Sequence, residues 1–501
     1  FHDILPGTSI PEVFVEADHN WQQVREIGQR VLDQSISAIA SSITAPAPPH
    51  PNAKLIIVFN SLSWPRTIVV NVQQPKSNSF SPSLKWMVCN TDQQRIPHQT
   101  ISTGLAQPQL LFSAIDIPAV GYRCFWLSPD TAQRSYLDLH PKADSLEPHA
   151  AEYILENASI RAAIDPNSGQ LISLIEKSTH TESLAASANQ LQAFRDESGY
   201  WDAWNIAADY KEHPIPSPKL LNIRFIETGP VRQRLRVTYQ LNKSTIRQDY
   251  ILEKDSPILK VENDIDWQET QTLLKVNFPT AISADYATYE IPFGAITRTT
   301  RSQTELDEAK WEVPALRWAN IENVAGGLSI LTQAKHGFDA SPNHLRLTLL
   351  KSPVWPDPYS DRGLHRFTYA IYPHSHSWQT AQTERVAREL NVSPIVHQPS
   401  SISCDDLKAR SQCSFIQLHN PNLMLAALKL AENSTTDFVL RCYETHGKSA
   451  QIEATTSLNI TGITRTECQR VNILEAPIEK DQHASIQPWE IASYRIRRAD
   501  S

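Results

Sequence analysis

The stretch RQRLRVTYQLNKSTIRQDYILEKDSPILKVENDIDW, residues 232–267, decides the fold. It holds three short runs rich in β-branched and aromatic residues, broken by Asn, Asp, Ser and Pro. The same rhythm extends outward over roughly 150–391, in EYILEN, LLKVNFP, GGLSILT, HLRLTLLK and FTYAIYP. Strands spaced this regularly without intervening helices predict antiparallel sandwiches and not βαβ units.

Upstream, LIIVF (Leu55 to Phe59), TIVVNV (Thr67 to Val72), LKWMV (Leu84 to Val88), LLFSAI (Leu110 to Ile115) and YRCFWL (Tyr122 to Leu127) predict a small β domain over 52–130. A polar stretch, Ser128 to Ala150, divides it from the large sandwich. Downstream, the Pro- and Ser-rich VSPIVHQPSSIS opens a last β domain, 392–501, with NLMLAALKL, DFVLRCYE, AQIEATTSL and EIASYRIRR. The first segment, 1–45, reads differently. Phe14, Ala17, Trp21, Val24, Gly28, Val31, Leu32, Ile36 and Ile39 recur mostly at spacings of three or four, which predicts a helix with one buried stripe. Ser9 suits its N-cap and Pro11 its first turn. Only the proline linker Thr44 to Pro51 follows, so the stripe's partners are expected upstream of Phe1.

Composition bounds the rest. The chain has 501 residues, 41% hydrophobic and 20% charged, enough apolar surface for several cores, which excludes global disorder. With 34 Pro against 14 Gly, an all-helical fold is disfavoured. The net charge of −8 is spread without blocks and carries no footprint of nucleic-acid binding. The longest apolar run, Leu423 to Leu428, is far short of the roughly 20 residues of a membrane span. The expectation is therefore a cytoplasmic protein with neither nucleic acid nor membrane as partner. Six cysteines without a CxxC pair argue against a disulfide framework. The chain opens at Phe1 and not at Met, so it reads as a fragment of a longer polypeptide.

Three places could carry chemistry. His2 and Asp3 stand before a Pro-Gly turn and the helix start, where an imidazole can ligate a metal and the carboxylate can hold hydroxyls. DESGYWDAWNI (Asp196 to Ile206) gathers Tyr200, Trp201 and Trp204 around Asp202. Aromatic faces stack on the C–H face of a sugar while a carboxylate accepts its hydroxyl hydrogens, although an aromatic loop closing a sandwich would look the same. LLKSPVWPDPYSDRGLHRFTYAIYPH (Leu349 to His374) places Asp357, Asp361, Arg362, His365 and Arg366 in a Pro-rich loop, where functional residues gather or charges pair among themselves. His374 and His376 have a metal-compatible spacing but read first as strand-end histidines. No GxSxG elbow, P-loop or GxGxxG fingerprint occurs.

With these residues in hand, the chain resembles the C-terminal half of a glycoside hydrolase family 38 α-mannosidase, in its cytosolic and vacuolar branch. FHDILPGTSIPEV resembles the family's HD signature. VFNSLSWPR and IPAVGYRCF resemble its first β domain; YWDAW, DWQETQTLLKVNFP, ATYEIPFGAITR and the Leu349 to His374 stretch its large sandwich; FVLRCYETHG its terminal domain. The resemblance implies a mainly β fold: the end of a helical-bundle domain, then several antiparallel β-sandwiches including a large galactose-mutarotase-like one. It implies a retaining hydrolase of terminal α-linked mannose on oligosaccharides, with one Zn²⁺ or other divalent ion. Carried over residue by residue, His2 matches the metal histidine and Asp3 the mannose-binding Asp. Tyr200 and Arg362 fall at the rim of the sugar site, with Trp201 and Asp202 beside them as substrate-binding residues. The family's nucleophile, acid/base and remaining metal ligands belong upstream, so no catalytic residue is expected in this chain and alone it should be inactive. The missing N-terminal catalytic domain, in the same or a separate chain, is then its principal partner, with homo-oligomerisation open. The competing readings are a non-catalytic carbohydrate-binding or structural β-sandwich module and part of another glycosidase.

Overall fold

The structure is a computed structural model that describes residues 5, 7–75, 85–101, 108–130, 152–400, 403–405, 409–456, 468–478 and 485–497. His2 and Asp3 lie outside the described residues. The fold is mainly β, as the strand rhythm predicts. The chain divides into two compact units, one made of 1–33, 138–290 and 296–391, the other of 34–137, 291–295 and 392–501.

The first unit is built on a nine-stranded sheet. Five of its strands, Lys219–Thr228, Arg232–Leu241, Ser244–Glu253, Leu259–Trp267 and Gly363–His374, lie side by side in antiparallel order. Because side chains alternate across a strand, Leu235, Val237, Tyr239 and Leu241 face inward while Arg234 and Arg236 face out. A six-stranded sheet, whose central members are Gln190–Arg195, Thr272–Pro279 and His344–Lys351, contributes Leu274, Val276, Phe278, Leu345 and Leu347 to the same core. A four-stranded sheet adds Leu155, Ile160, Ala162, Leu171 and Leu174. Burying such side chains is worth about 1.5–3 kcal/mol each, so this core dominates the unit's stability.

The core also contains a closed polar ring. Asn189 donates to Gln248 at 3.0 Å and to the Tyr250 hydroxyl at 2.7 Å, Gln248 donates to Asn263 and Tyr369 at 2.9 Å each, and Tyr369 donates back to Asn189 at 2.5 Å. Tyr250 then donates to the Gly169 carbonyl at 3.0 Å. Gly169 is required there: its φ is +70°, and a Cβ would sit 2.5 Å from both Val237 and the Tyr239 hydroxyl. Fully satisfied buried networks of this kind fix one packing arrangement.

Two sequence expectations are corrected, one at the C-terminal end of the first helix and one at a domain boundary. The helix Pro11–Ser41 forms as predicted; of its stripe, Ile36 and Ala40 are buried, whereas Trp21, Val24, Val31 and Leu32, for which no partner was expected within the chain, are exposed. The helix end is not left without a partner downstream. Ile36, Ile39, Ala40 and Ile43 pack on Leu55, Ile57, Cys124 and Trp126 of the strands Lys54–Asn60 and Gly121–Pro129. The sequence reading separates 52–130 from 392–501, yet strands of both join one sheet. Ile395–His397 pairs with Lys54–Asn60, and Gln412–Ser414 with Gly121–Pro129. Gly121 permits this, since a Cβ there would lie 2.1 Å from the Cys413 carbonyl oxygen. Among the described residues no helix is long and apolar enough to cross a membrane.

Candidate functional site

The site is built at one end of the six-stranded sheet of the first unit, where Gln190–Arg195 runs into the loop 196–206 and His344–Lys351 into the loop 352–362. Loop 196–206 is tied down along its length. Asp196, buried, accepts the Ala207 N–H at 2.8 Å on one oxygen and pairs with Lys351 on the other. The Ser198 hydroxyl donates to the Asn205 carbonyl at 2.8 Å, and the Trp311 indole donates to the Ile206 carbonyl at 3.1 Å.

Asp202 does something other than the sequence suggests. It is 1% exposed, and its two carboxylate oxygens accept the backbone N–H groups of Val354 at 2.8 Å and Trp355 at 3.0 Å. The expectation of a carboxylate offered to sugar hydroxyls is therefore corrected: Asp202 stitches loop 196–206 to loop 352–362. The physical reason is that two adjacent amides of an irregular loop need acceptors, and a carboxylate satisfies both with charge-assisted bonds.

The stitch gathers exposed rings. The Tyr200 ring lies 4.8 Å from Trp201 and 5.2 Å from Trp355, and Trp201 lies 6.3 Å from Trp355. Tyr200 is 67% and Trp355 40% exposed, so this ring cluster lies at the surface and not in the core. Trp204 and Tyr359 are exposed alongside. Arg362 is also exposed, its guanidinium 5.4 Å from the Tyr359 ring. The loop carrying it is held by local bonds: Asp357 accepts the Tyr359 N–H at 2.8 Å, and His365 Nε2 donates to the Asp361 carbonyl at 2.6 Å. Asp361 takes a left-handed φ of 59°. Surrounding protein raises its carboxyl above the usual range against the pull of His365, Lys335 and Lys351.

Tyr200, Trp201 and Arg362 thus lie on two loops that the structure joins, while Arg366 leaves the group for the outer face of the nine-stranded sheet, 3.3 Å from Asp264. His374 is buried: Nδ1–H donates to the His376 carbonyl at 2.6 Å, and Nε2 lies 3.1 Å from the Ser329 hydroxyl. Burial pulls its imidazole down to about 4, so it is a neutral structural residue. Among the described residues no three His, Cys, Asp or Glu side chains converge so as to hold a metal ion.

Sequence reasoning missed Trp355 as the third ring, and it missed the support beneath the loop. Lys275, 0% exposed, bonds Glu312 at 2.5 Å, Asp339 at 2.7 Å and the Thr348 hydroxyl at 2.9 Å. Arg346 forks onto Asp339 at 2.6 and 2.9 Å. Burial alone would lower the Lys275 ammonium, but Asp339 and Glu312 hold it above its ordinary value. Over this network lies Tyr210, edge-on to Phe194 at 5.1 Å, its hydroxyl pushed up to about 12 by burial. A lone Lys inside the apolar run LLKVNFP was the available signal.

Residues 155–359 match the glycosyl hydrolases family 38 C-terminal domain, and residues 422–494 match the family 38 C-terminal beta sandwich domain. The chain belongs to family 38, whose C-terminal domains these two matches are. It is 30% identical over 453 residues to the Homo sapiens protein named alpha-mannosidase 2C1, covering 89% of this chain and 39% of that protein. It is 28% identical over 528 residues to alpha-mannosidase G of Dictyostelium discoideum, covering 99% of this chain and 47% of that one. The chain therefore spans less than half the length of these relatives. An alpha-mannosidase crystal structure from Enterococcus faecalis V583 shares the fold at a TM-score of 0.76 and 15% identity, over 97% of this chain and 61% of that one.

Proposed function

We propose that this chain forms the β-sandwich wall of the sugar site of a retaining α-mannosidase acting on terminal α-linked mannose of oligosaccharides. The observation that carries the reading is the exposed cluster of Tyr200, Trp201 and Trp355 on stitched loops, within a chain that carries family 38 domains. The rings offer flat faces to the C–H side of a pyranose, and Arg362 offers guanidinium donors to its hydroxyls. Asp202 acts as a positioning residue for the rings. Asp3 would accept mannose hydroxyl hydrogens.

In retaining hydrolysis one carboxylate attacks the anomeric carbon while a second carboxyl protonates the leaving oxygen and then activates water. We assign neither to this chain. His2 would give one ligand to a divalent ion such as zinc, which in family members fixes the bound sugar. A single imidazole does not hold such an ion, because metal sites use three or more protein ligands, so the other ligands and the catalytic carboxyls come from an N-terminal domain as partner. A cytoplasmic location belongs to the same reading.

The test is hydrolysis of p-nitrophenyl α-mannoside together with methyl α-mannoside titration followed by tryptophan fluorescence. The 501-residue chain alone is expected to show no turnover, and a fluorescence change that Trp201→Ala and Tyr200→Ala abolish. Turnover by the chain alone would refute the location of the nucleophile. Fluorescence indifferent to the mannoside would refute the rim assignment.

A further inference from the structure

The nine-stranded sheet of the first unit turns one face away from the core, and its register places charges in rows across strands. Arg236, Asp249, Glu262 and Thr368 are cross-strand neighbours, and two residues along, Thr238, Arg247, Asp264 and Arg366 form the next row. A cleft of about 400 Å³ opens over these rows, large enough for a monosaccharide-sized molecule. Four guanidiniums and three carboxylates line it, an excess of one positive charge.

The pairing within the cleft is uneven. Arg236 forks onto both oxygens of Asp249 at 2.7 Å, and Arg234 reaches Asp249 at 2.6 Å and Glu262 at 2.7 Å. These ion pairs are complete. Arg247 and Arg366 instead lean on the same oxygen of one carboxylate, Asp264 Oδ2, at 3.7 and 3.3 Å. Their side chains are 40% and 76% exposed, and neither makes another ion pair or hydrogen bond among the described residues. Two guanidiniums thus share one acceptor, and most of their N–H groups are unused.

A guanidinium fork matches the oxygens of a phosphate or carboxylate, and charge-assisted bonds of this kind are the strong ones. A cation is disfavoured by the positive excess, and a neutral sugar would leave the guanidinium charge unanswered. We infer that this cleft binds an oxyanionic group, a phosphate monoester or a carboxylate carried on a small polar molecule, with Arg247 and Arg366 as its anion clamp and Asp264 holding the two forks in place. The mannosidase reading is not needed for this site, which lies on a different sheet from the aromatic loops.

Calorimetric titration of glucose 6-phosphate, glucuronate and neutral glucose into the whole chain tests it. At least one of the anions should bind saturably and glucose should not. The double variant Arg247→Gln/Arg366→Gln should weaken binding at least tenfold while leaving the thermal unfolding midpoint unchanged, since both side chains are exposed. Binding of glucose 6-phosphate alone would assign a phosphate monoester, and of glucuronate alone a carboxylate. The inference is overturned if neither anion binds, if glucose binds as well as they do, or if binding survives the double substitution.

Discussion

Replacing Asp202 by Ala should release the loop that carries Trp355 without unfolding the sandwich. The side chain is 1% exposed and makes two charge-assisted bonds, to the N–H groups of Val354 and Trp355 at 2.8 and 3.0 Å. Such bonds contribute about 1.5–3 kcal/mol each. Water replaces part of that once the loop opens, so the expected loss is about 3 kcal/mol in the free energy of local opening. At 1.4 kcal/mol per factor of ten, that shifts the open population by roughly 100-fold. Hydrogen exchange read by mass spectrometry at the Val354 and Trp355 amides should accelerate by that factor, while the amides of Gln190–Arg195 stay protected. Asp202→Asn keeps one acceptor oxygen and should lose about half as much, roughly a tenfold acceleration. Acrylamide quenching should rise in step, because Trp355 would leave its neighbours Tyr200 and Trp201. If exchange at the two amides changes by less than a few-fold in Asp202→Ala, the carboxylate is not what holds the loops together.

Lys275→Met should destabilise the first unit by about 3–5 kcal/mol in urea denaturation, since it leaves Glu312 without its ammonium, and adding Glu312→Leu should recover part of the loss. Acid should act through the same kind of pairing. Burial opposes ionisation of Asp339 and Asp249, but Lys275 and Arg346 for the first, and Arg236 and Arg234 for the second, hold both carboxyls below their ordinary values. A folded-state value below the unfolded one means that this stabilisation is complete above about pH 4 and is lost as the pH falls below it. The unfolding midpoint of the first unit should therefore drop steeply below that pH, and a midpoint flat down to acid would remove these pairs from the unit's stability.

The sequence by itself determined the strands. Runs such as RQRLRVTYQLN and PILKVENDIDW have one conformation that buries their apolar residues, so the antiparallel sandwich was legible. The helix Pro11–Ser41 was equally legible from its spacing, since periodicity reports which residues share a face. It does not report what covers that face, and the structure leaves Trp21 and Val24 exposed while Ile36 and Ala40 are buried. The aromatic and charged loops were visible as compositions, but which side chains face a ligand depends on contacts between residues about 150 positions apart. Only the tertiary structure turned Asp202 inward to Val354 and Trp355, added Trp355 to Tyr200 and Trp201, and set Lys275 beneath Tyr210. Local pattern fixes the element a residue belongs to; the partner that satisfies a buried charge is chosen by the register and packing of strands far apart in the chain.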